Sequence, residues 1–322
     1  MKLRILFIIL VIFLSIFFIW QGIYLPKDSH STEKKIFVIE KGENLFQIAE
    51  NLEKEDLIKS KFFFDFYVLI KGGQDKLRAG EYFLSPSMNI AEIARKIILG
   101  EIAKIIVTIP EGFTVKQIEE LLGLKLPGKD LEGFLFPDTY QFQIGVGEED
   151  KSSSSPSLPF RGSLVGEEVV KRMRDNFEKK LTPELREEIE KQEKTIFEIV
   201  TMASLIEKEV QTLEDRQIVS GILWKRRNHN IPLQVDATIN YITGGKTIKV
   251  SIEETKIDSP YNTYKYLGLP LGPICNPGLE SIRAAVNPED SDYWYYLSTP
   301  EGETIFGKTL EEHNIAKAQY LK

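Results

Sequence analysis

The sequence of 322 residues contains a single cysteine, Cys275, and three scattered histidines, His30, His229 and His313. One cysteine excludes an internal disulfide, and a lone thiol is typical of a small buried hydrophobic side chain. Neither residue type forms a cluster with metal-ligand spacing. No glycine-rich phosphate loop precedes a helix either, so we predict neither a metal nor a nucleotide cofactor.

The chain also lacks an excess of basic residues, since its formal net charge is −7. Nucleic-acid binding relies on a basic face, so this charge argues against nucleic acid as the partner. A neutral polymer such as a glycan is compatible with it. The length predicts two or three domains after the N-terminal segment.

The first 25 residues are apolar from Leu3 onward, interrupted by few polar side chains. A helix needs about 20 such residues to cross a bilayer, so we predict a membrane span over residues 3–25. A cleaved secretory signal is the alternative, but no small-residue cleavage site follows the run. Trp20 and Tyr24 suit a membrane interface, and Lys2 and Arg4 favour a cytoplasmic N-terminus. The rest of the chain is then extracytoplasmic.

Residues 26–35 are polar and predict a short tether. A strand at 36–39, a turn containing Gly42 and an apolar helix face follow. The same order returns at residues 105–122 around Gly112, and a looser copy lies between the two. This pattern resembles the LysM type of glycan-binding module, a βααβ fold. We predict a LysM-like subdomain at residues 36–104, and a structural domain that binds nothing remains the alternative.

The remainder, residues 105–322, predicts a larger α+β catalytic domain. Residues 148–168 are rich in serine, proline and glycine and predict a flexible surface insertion. Helical patterns follow at residues 169–191, where Thr182 and Pro183 mark a new helix start.

Thr195 and Glu198 have the spacing of a capping box, so a helix should begin there. Val200 and Ala203 lie on its apolar face, and Glu207 lies on the same side of the helix. A carboxyl group in an apolar groove has a raised pKa and can act as a general acid.

Glu209 lies two residues further on. At about 100° per residue it points to the opposite side of the helix, and we interpret it as solvated. Periodicity therefore selects Glu207. A structural salt bridge from Glu207 to a lysine or arginine is the alternative.

Polar and aromatic residues cluster in three later segments, LQVD (233–236), SPYNTY (259–264) and the loop from Leu269 to Gly278. Amides and hydroxyls bind sugar hydroxyl and N-acetyl groups, and aromatic rings pack on sugar faces. Loops this rich in proline and glycine are also typical of plain turns.

These segments, together with LEGFLFPDTY (131–140) and ASLIEKE (203–209), resemble the endolytic murein transglycosylases of the YceG-like family in order and separation. The resemblance covers nearly the whole chain. It implies a membrane-anchored enzyme that cleaves the bond between N-acetylmuramic acid and N-acetylglucosamine within peptidoglycan strands and leaves 1,6-anhydromuramic ends. Mapped by motif position, the catalytic acid and base is Glu207. The residues implied to line the groove are Gln234, Asp236, Tyr261, Asn262, Thr263, Tyr264 and Asn276.

The same resemblance implies the inner membrane of a bacterium as the location, with one span, and wall synthases such as penicillin-binding proteins as partners. Glu132 and Asp138 are further acids that could approach the groove. Two other functions stay open. A lysozyme-like hydrolase would use Asp236 as a second carboxylate, and a membrane-tethered adaptor would bind the wall without cleaving it.

Overall fold

The structure, a computed structural model, describes residues 2–143, 165–245 and 250–320. The chain divides into two compact units. The first contains the described residues up to Ile106, together with 141–143 and Val165, and the second contains 107–140 and 166–320. Helices mix with short two-stranded sheets throughout the described residues, which confirms the α+β class.

Six elements belong to the first unit: α1 Lys2–Tyr24, β1 Lys35–Ile39, α2 Leu45–Lys54, α3 Lys61–Ile70, β2 Gly80–Leu84 and α4 Ile90–Leu99. Strands β3 Lys104–Thr108 and β4 Thr139–Gln143 pair with each other, and the boundary between the units falls within them. The second unit contains α5 Val115–Leu122, α6 Gly166–Lys180, α7 Pro183–Lys191, α8 Ile196–Glu209, α9 Leu213–Asn228, α10 Asp236–Thr243, α11 Leu279–Val286, β5 Tyr295–Ser298, β6 Thr304–Gly307 and α12 Leu310–Tyr320.

In the first unit, β1 and β2 run antiparallel, with Lys35 opposite Leu84 and Ile39 opposite Gly80. Their inward side chains join those of α2, α3 and α4 in one apolar core. The order β1, α2, α3, β2 is a βααβ arrangement. Its assignment to the LysM type, and glycan binding by it, stay predictions.

Three helices that follow a strand and a turn begin with the same device. At the start of α2, α4 and α5, a polar N-cap side chain accepts a backbone N–H, and the third helical residue returns the bond as a capping box. The N-caps are Asn44, Asn89 and Thr114. This shared local chemistry accounts for the repeated pattern in the sequence.

Helix α1 is long and apolar enough to cross a membrane from Leu3 to Tyr24. Its last turn does not stand free, because Ile23 is 6% exposed within the core of the first unit. The tether predicted at residues 26–35 also contacts this unit. Lys27 forms an ion pair with Asp56, and Asp28 N–H donates to the carbonyl of Pro86 (2.9 Å).

The second unit is built around α8, whose residues from Ile199 to Ile206 are all buried. Helices α7, α9, α10 and α11 pack against it. A bond from Trp224 Nε1 to the carbonyl of Ala285 (3.0 Å) ties α9 to α11. Strands β5 and β6 form an antiparallel hairpin that follows α11.

The serine-rich insertion predicted at residues 148–168 lies outside the described residues up to position 164. Its end is described, and there the prediction is wrong. Residues 166–168 form the first turn of α6, where Glu167 and Glu168 suit the positive end of the helix dipole.

Candidate active site

Helix α8 carries both candidate glutamates in its last turn. Thr195 caps its start, and Glu198 completes the predicted capping box. Because the middle of α8 is buried on every side, its two faces do not divide into a core face and a solvent face. Whether a carboxyl group near the end of α8 is buried therefore depends on which neighbouring elements pack against that end.

Glu207 is buried, with 6% of its side chain exposed, but it is not unpaired. Its Oε1 lies 3.3 Å from Nη2 of Arg216, which belongs to α9 and is itself 11% exposed. Its Oε2 accepts the N–H of Gly278 (3.0 Å). The apolar, unpaired environment that we predicted for Glu207 is therefore wrong, and the salt bridge raised as the alternative is present.

A second carboxyl group lies beside Gly278. A Cβ atom on Gly278 would stand 2.0 Å from Oε1 of Glu111, so this approach needs glycine. Burial raises the pKa of Glu111, and the charge of Glu207 raises it further. The sequence drew attention to the turn around Gly112 but not to this acid.

Asn276 holds the loop that leads to Gly278. Its side chain is fully buried, donates to the carbonyl of Phe113 (2.9 Å) and to Glu132 (3.2 Å), and accepts the N–H of Leu135 (2.9 Å). The preceding residues rest on α8, since Ile274 N–H donates to Oγ of Ser204 (3.0 Å). Asn276 thus connects three segments of the second unit, and its predicted contact with a glycan stays a prediction.

Glu132 lies on the other side of Asn276. It accepts the N–H of Val115 (3.1 Å) at the start of α5 and a long bond from the Tyr241 hydroxyl (3.5 Å). Burial raises its pKa to about 7. The ring of Tyr261, a predicted groove residue, lies 5.0 Å from that of Tyr241. Asp138, in contrast, is held by Thr139 N–H (2.8 Å) and by Asn176 (3.0 Å).

The prediction that Glu209 is solvated is wrong. We interpreted it as solvated, whereas it is a partly buried residue whose carboxyl group accepts hydrogen bonds from the Tyr296 hydroxyl and from Ala237 N–H. Burial raises the pKa of Glu209 to about 7, and the charge of Asp236 adds to this rise. The periodicity argument missed it because β5 and the start of α10 cover the side of α8 that we assigned to water.

Two of the predicted groove residues, Asp236 and Tyr264, lie near Glu209, and a third, Gln234, bonds to Arg226. Asp236 opens α10 and accepts a short hydrogen bond from the Tyr264 hydroxyl. Gln234 is exposed, has a left-handed backbone (φ 55°) and accepts from Nη2 of Arg226 (2.8 Å). The site around Glu209 therefore combines a protonatable carboxyl group, a second carboxylate and tyrosine hydroxyls.

Two other residues that were predicted to line the groove are buried and hold backbone segments in place. Asn262 is 1% exposed and donates to the carbonyls of Thr255 (3.0 Å) and Ile257 (2.8 Å). Thr263 is also 1% exposed, and its hydroxyl accepts Val235 N–H (3.0 Å), which fixes the turn before Asp236. Direct contact of these side chains with a substrate stays a prediction.

Sequence reasoning missed four residues of these clusters: Glu111, Arg216, Arg226 and Tyr296. The two arginines lie on α9 and Tyr296 lies on β5, in elements other than the helix that carries Glu207 and Glu209. No local spacing connects them to α8. Cys275 was interpreted correctly, since it is buried and burial raises the pKa of its thiol.

The fold and the site define an α+β protein with an N-terminal apolar helix and a buried carboxyl centre on a core helix. A profile of the YceG-like family matches residues 37–319. The chain belongs to the YceG-like family.

Several known proteins are similar to this chain. It is 32% identical over 332 residues to an endolytic murein transglycosylase of Bacillus subtilis, covering 92% of this chain and 86% of that protein. It is 29% identical to an endolytic murein transglycosylase of Streptococcus pneumoniae, of which the matched region spans 60%. A crystal structure of a yceG-like protein from Listeria monocytogenes has a TM-score of 0.56 at 31% identity and covers 89% of this chain and 100% of that one.

The raised pKa values of Glu209 and Glu132 predict a specific pH dependence of stability. Both folded-state pKa values, about 7, lie above the ordinary value of 4.5. The folded state therefore binds more protons than the unfolded state between these values, so the free energy of unfolding should fall as pH rises from 4.5 to 7. Each group contributes a loss of up to roughly 3 kcal/mol.

Urea unfolding of the detergent-solubilised chain between pH 4.5 and 8 measures this slope. The variants Glu209→Gln and Glu132→Gln should each flatten it and should be most stabilising, relative to the parent, at the upper end of the range. A parent curve that rises across this window would show that neither group is held neutral.

Proposed function

We propose that this chain is a membrane-anchored lytic transglycosylase that cleaves the glycan strands of peptidoglycan from within, with Glu209 as the general acid and base. The curated relatives from B. subtilis and S. pneumoniae are named endolytic murein transglycosylases and align over 92% of the chain. The observation that carries the choice of residue is the setting of the Glu209 carboxyl group. It lies in the last turn of α8 beside Asp236, accepts hydrogen bonds from Tyr296 and Ala237 N–H, and has a pKa that burial raises to about 7.

The proposed reaction uses that one carboxyl group twice. Neutral Glu209 gives its proton to the oxygen that links C1 of N-acetylmuramic acid to N-acetylglucosamine, and the bond from C1 to this oxygen breaks. The resulting carboxylate then takes the proton from the C6 hydroxyl of the same muramic acid as that oxygen bonds to C1. The product is a 1,6-anhydro ring, the carboxyl group is restored and no water is consumed.

The surrounding groups favour this cycle. Asp236 lies near enough for its charge to raise the pKa of Glu209, and its charge also suits a sugar ring that becomes positive as the bond breaks. Tyr264 donates to Asp236 and holds it in place. The hydrogen bonds from Tyr296 and Ala237 N–H favour the carboxylate form of Glu209, so they balance burial and allow the proton to leave and return.

Glu207 has a different role in this proposal. Its pairing with Arg216 and its bond from Gly278 N–H hold the loop after Asn276 against the end of α8. Both carboxylate oxygens of Glu207 are thus engaged by protein donors, one by Nη2 of Arg216 and the other by the N–H of Gly278. We therefore place Glu207 among the groups that position the loop.

Helix α1 is the proposed anchor, with a cytoplasmic N-terminus and an extracytoplasmic enzyme. Its length and composition support a span, and Lys2 and Arg4 precede the apolar run. An extracytoplasmic location brings the site to the cell wall. Synthases of the same wall are proposed partners.

Product analysis tests the reaction. Purified chain is incubated with peptidoglycan, and the released muropeptides are identified by mass spectrometry. We expect 1,6-anhydromuramic ends, which are lighter by one water than reducing ends. Reducing muramic ends would show a hydrolase in which Asp236 serves as the second carboxylate. Release no greater than that in a protein-free control would favour the wall-binding adaptor.

A further inference from the structure

Helix α3 has two apolar faces. Its inner face places Phe64 and Val68, both 0% exposed, in the core of the first unit. A second face carries apolar side chains at steps of four, three and one residues. We call this face the α3 stripe, and its residues are Phe62, Phe66, Leu69 and Ile70.

Three of the four residues of the α3 stripe are exposed. Phe62 is 61%, Leu69 48% and Ile70 67% exposed, whereas Phe66 is partly buried and its ring stacks on that of Phe62 at 6.2 Å. Single exposed apolar side chains are ordinary, but several on one helix face indicate a surface that something covers.

The outer end of α1 lies directly against this helix. The rings of Phe18 and Phe63 lie 5.5 Å apart in an edge-to-face contact. Gly22 lets the two helices approach, because a Cβ atom there would stand 2.5 Å from the ring of Phe63. These contacts fix α3 beside the last turns of α1 within one compact unit.

The length of α1 sets the depth of α3. A helix of 22 residues is about 33 Å long, close to the roughly 30 Å of a bilayer hydrocarbon core. Phe18 lies six residues before Tyr24, so about 9 Å of helix follows it. A side chain in contact with Phe18 is therefore at the level of the outer lipid layer whenever α1 spans the bilayer.

The charges of α3 agree with this depth. Exposed lysines precede and follow the stripe, at Lys59, Lys61 and Lys71, and lysines at such positions reach lipid phosphates while their stems stay apolar. The one acid of the helix is Asp65. Its Oδ1 is buried with no hydrogen-bond partner, and burial raises the pKa of this carboxyl group, which suits a low-dielectric setting.

We propose that the α3 stripe lies in the outer interfacial layer of the same bilayer that holds α1, with Lys59, Lys61 and Lys71 on anionic lipid headgroups. The covering partner is lipid, since the helix that adjoins the stripe is itself the apolar span. This inference rests on the proposed anchoring by α1. The first unit then contacts the membrane at two places, through α1 and through the α3 stripe.

Depth-dependent quenching tests the proposal in the full chain. Phe62→Cys and Ile70→Cys are labelled with an environment-sensitive fluorophore in vesicles of phosphatidylcholine and phosphatidylglycerol that contain spin-labelled lipid. The buried Cys275 is left in place. Parent protein treated with the same fluorophore verifies that Cys275 does not react. Phe13→Cys, in the middle of α1, reports the span itself. Ile252→Cys, on a residue that is 76% exposed in the second unit, is the solvent control.

We expect blue-shifted emission and strong quenching for labels at positions 62 and 70, and neither for the label at 252. Quenching at 13 with solvent-like emission at 62 and 70 would overturn the inference and leave the anchor standing. Solvent-like emission at 13 would remove the anchor and the inference together. Neither result bears on the lytic reaction, which the products report separately. Vesicles without phosphatidylglycerol should give weaker quenching at 62 and 70, and an unchanged signal would contradict the lysine contacts.

Discussion

Replacing Glu209 with glutamine should reduce the release of anhydromuropeptides by at least about a hundredfold, since general acid–base catalysis contributes roughly 10²–10⁴ to a rate. Glutamine keeps the shape of the side chain and still accepts hydrogen bonds from Tyr296 and Ala237, but it has no proton to give. The variant should remain folded. Its thermal midpoint at neutral pH should match or exceed that of the parent, because the carboxyl group that it replaces is costly to ionise where it lies.

Glu207→Gln is the matched control, since it makes the same chemical change two residues away on the same helix. We expect this variant to retain product release when it is assayed well below its melting temperature. The opposite pattern, with release abolished by Glu207→Gln and kept by Glu209→Gln, would return the catalytic role to Glu207. The ratio of initial rates of the two variants, measured on one preparation of peptidoglycan, decides between the residues.

The largest effect on stability should come from the buried pair of Glu207 and Arg216. Both side chains are nearly inaccessible, with 6% and 11% exposed. Removing the negative partner leaves a buried guanidinium without its counter-charge, which costs about 3–5 kcal/mol in comparable pairs. Urea unfolding of Glu207→Gln should therefore show a clearly lower midpoint than the parent.

A double variant separates loss of the pair from loss of packing. Glu207→Leu combined with Arg216→Met replaces the pair with apolar side chains of similar length, and such replacements are often nearly neutral. The double variant should recover most of the stability lost in Glu207→Leu alone. Equal destabilisation of the single and double variants would show that the carboxylate stabilises the protein mainly through Gly278 N–H.

Local chemistry made much of the fold predictable. The capping box at Thr195 and the Thr182–Pro183 start lie within a few residues of the helices they begin, and both are observed where they were predicted. The repeated strand, turn and helix likewise follow from caps within each copy. Such signals need no knowledge of distant parts of the chain, so one sequence suffices to find them.

The choice between Glu207 and Glu209 could not be made in this way. An argument from periodicity assumes that one side of a helix faces solvent, whereas other elements pack against α8 on both sides. Arg216 pairs with Glu207, and Tyr296 donates a hydrogen bond to Glu209. These two partners lie 9 and 87 residues from the glutamates that they contact. The motif points to the last turn of α8, but the partners of its two glutamates are set by tertiary structure.

Polar residues in the loop motifs were similarly ambiguous. Asn262 and Asn276 are amides in loops, as a sugar site would require, yet both form hydrogen bonds to groups of their own unit. Gln234 and Asp236 come from an equally short motif and remain partly or fully exposed. Residue type and spacing do not distinguish an amide that shapes a loop from one that faces a ligand.

The last turn of α1 and the segment after it contact the first unit. Ile23 is buried in the first unit, Lys27 is paired with Asp56, and Asp28 is bonded to Pro86. In the proposed membrane setting these contacts join the end of the helix to the folded unit without a free linker, so a rotation or tilt of the helix would move that unit as well. Inserting flexible residues near position 30 would add little reach unless the contacts of Lys27 and Asp28 were broken as well.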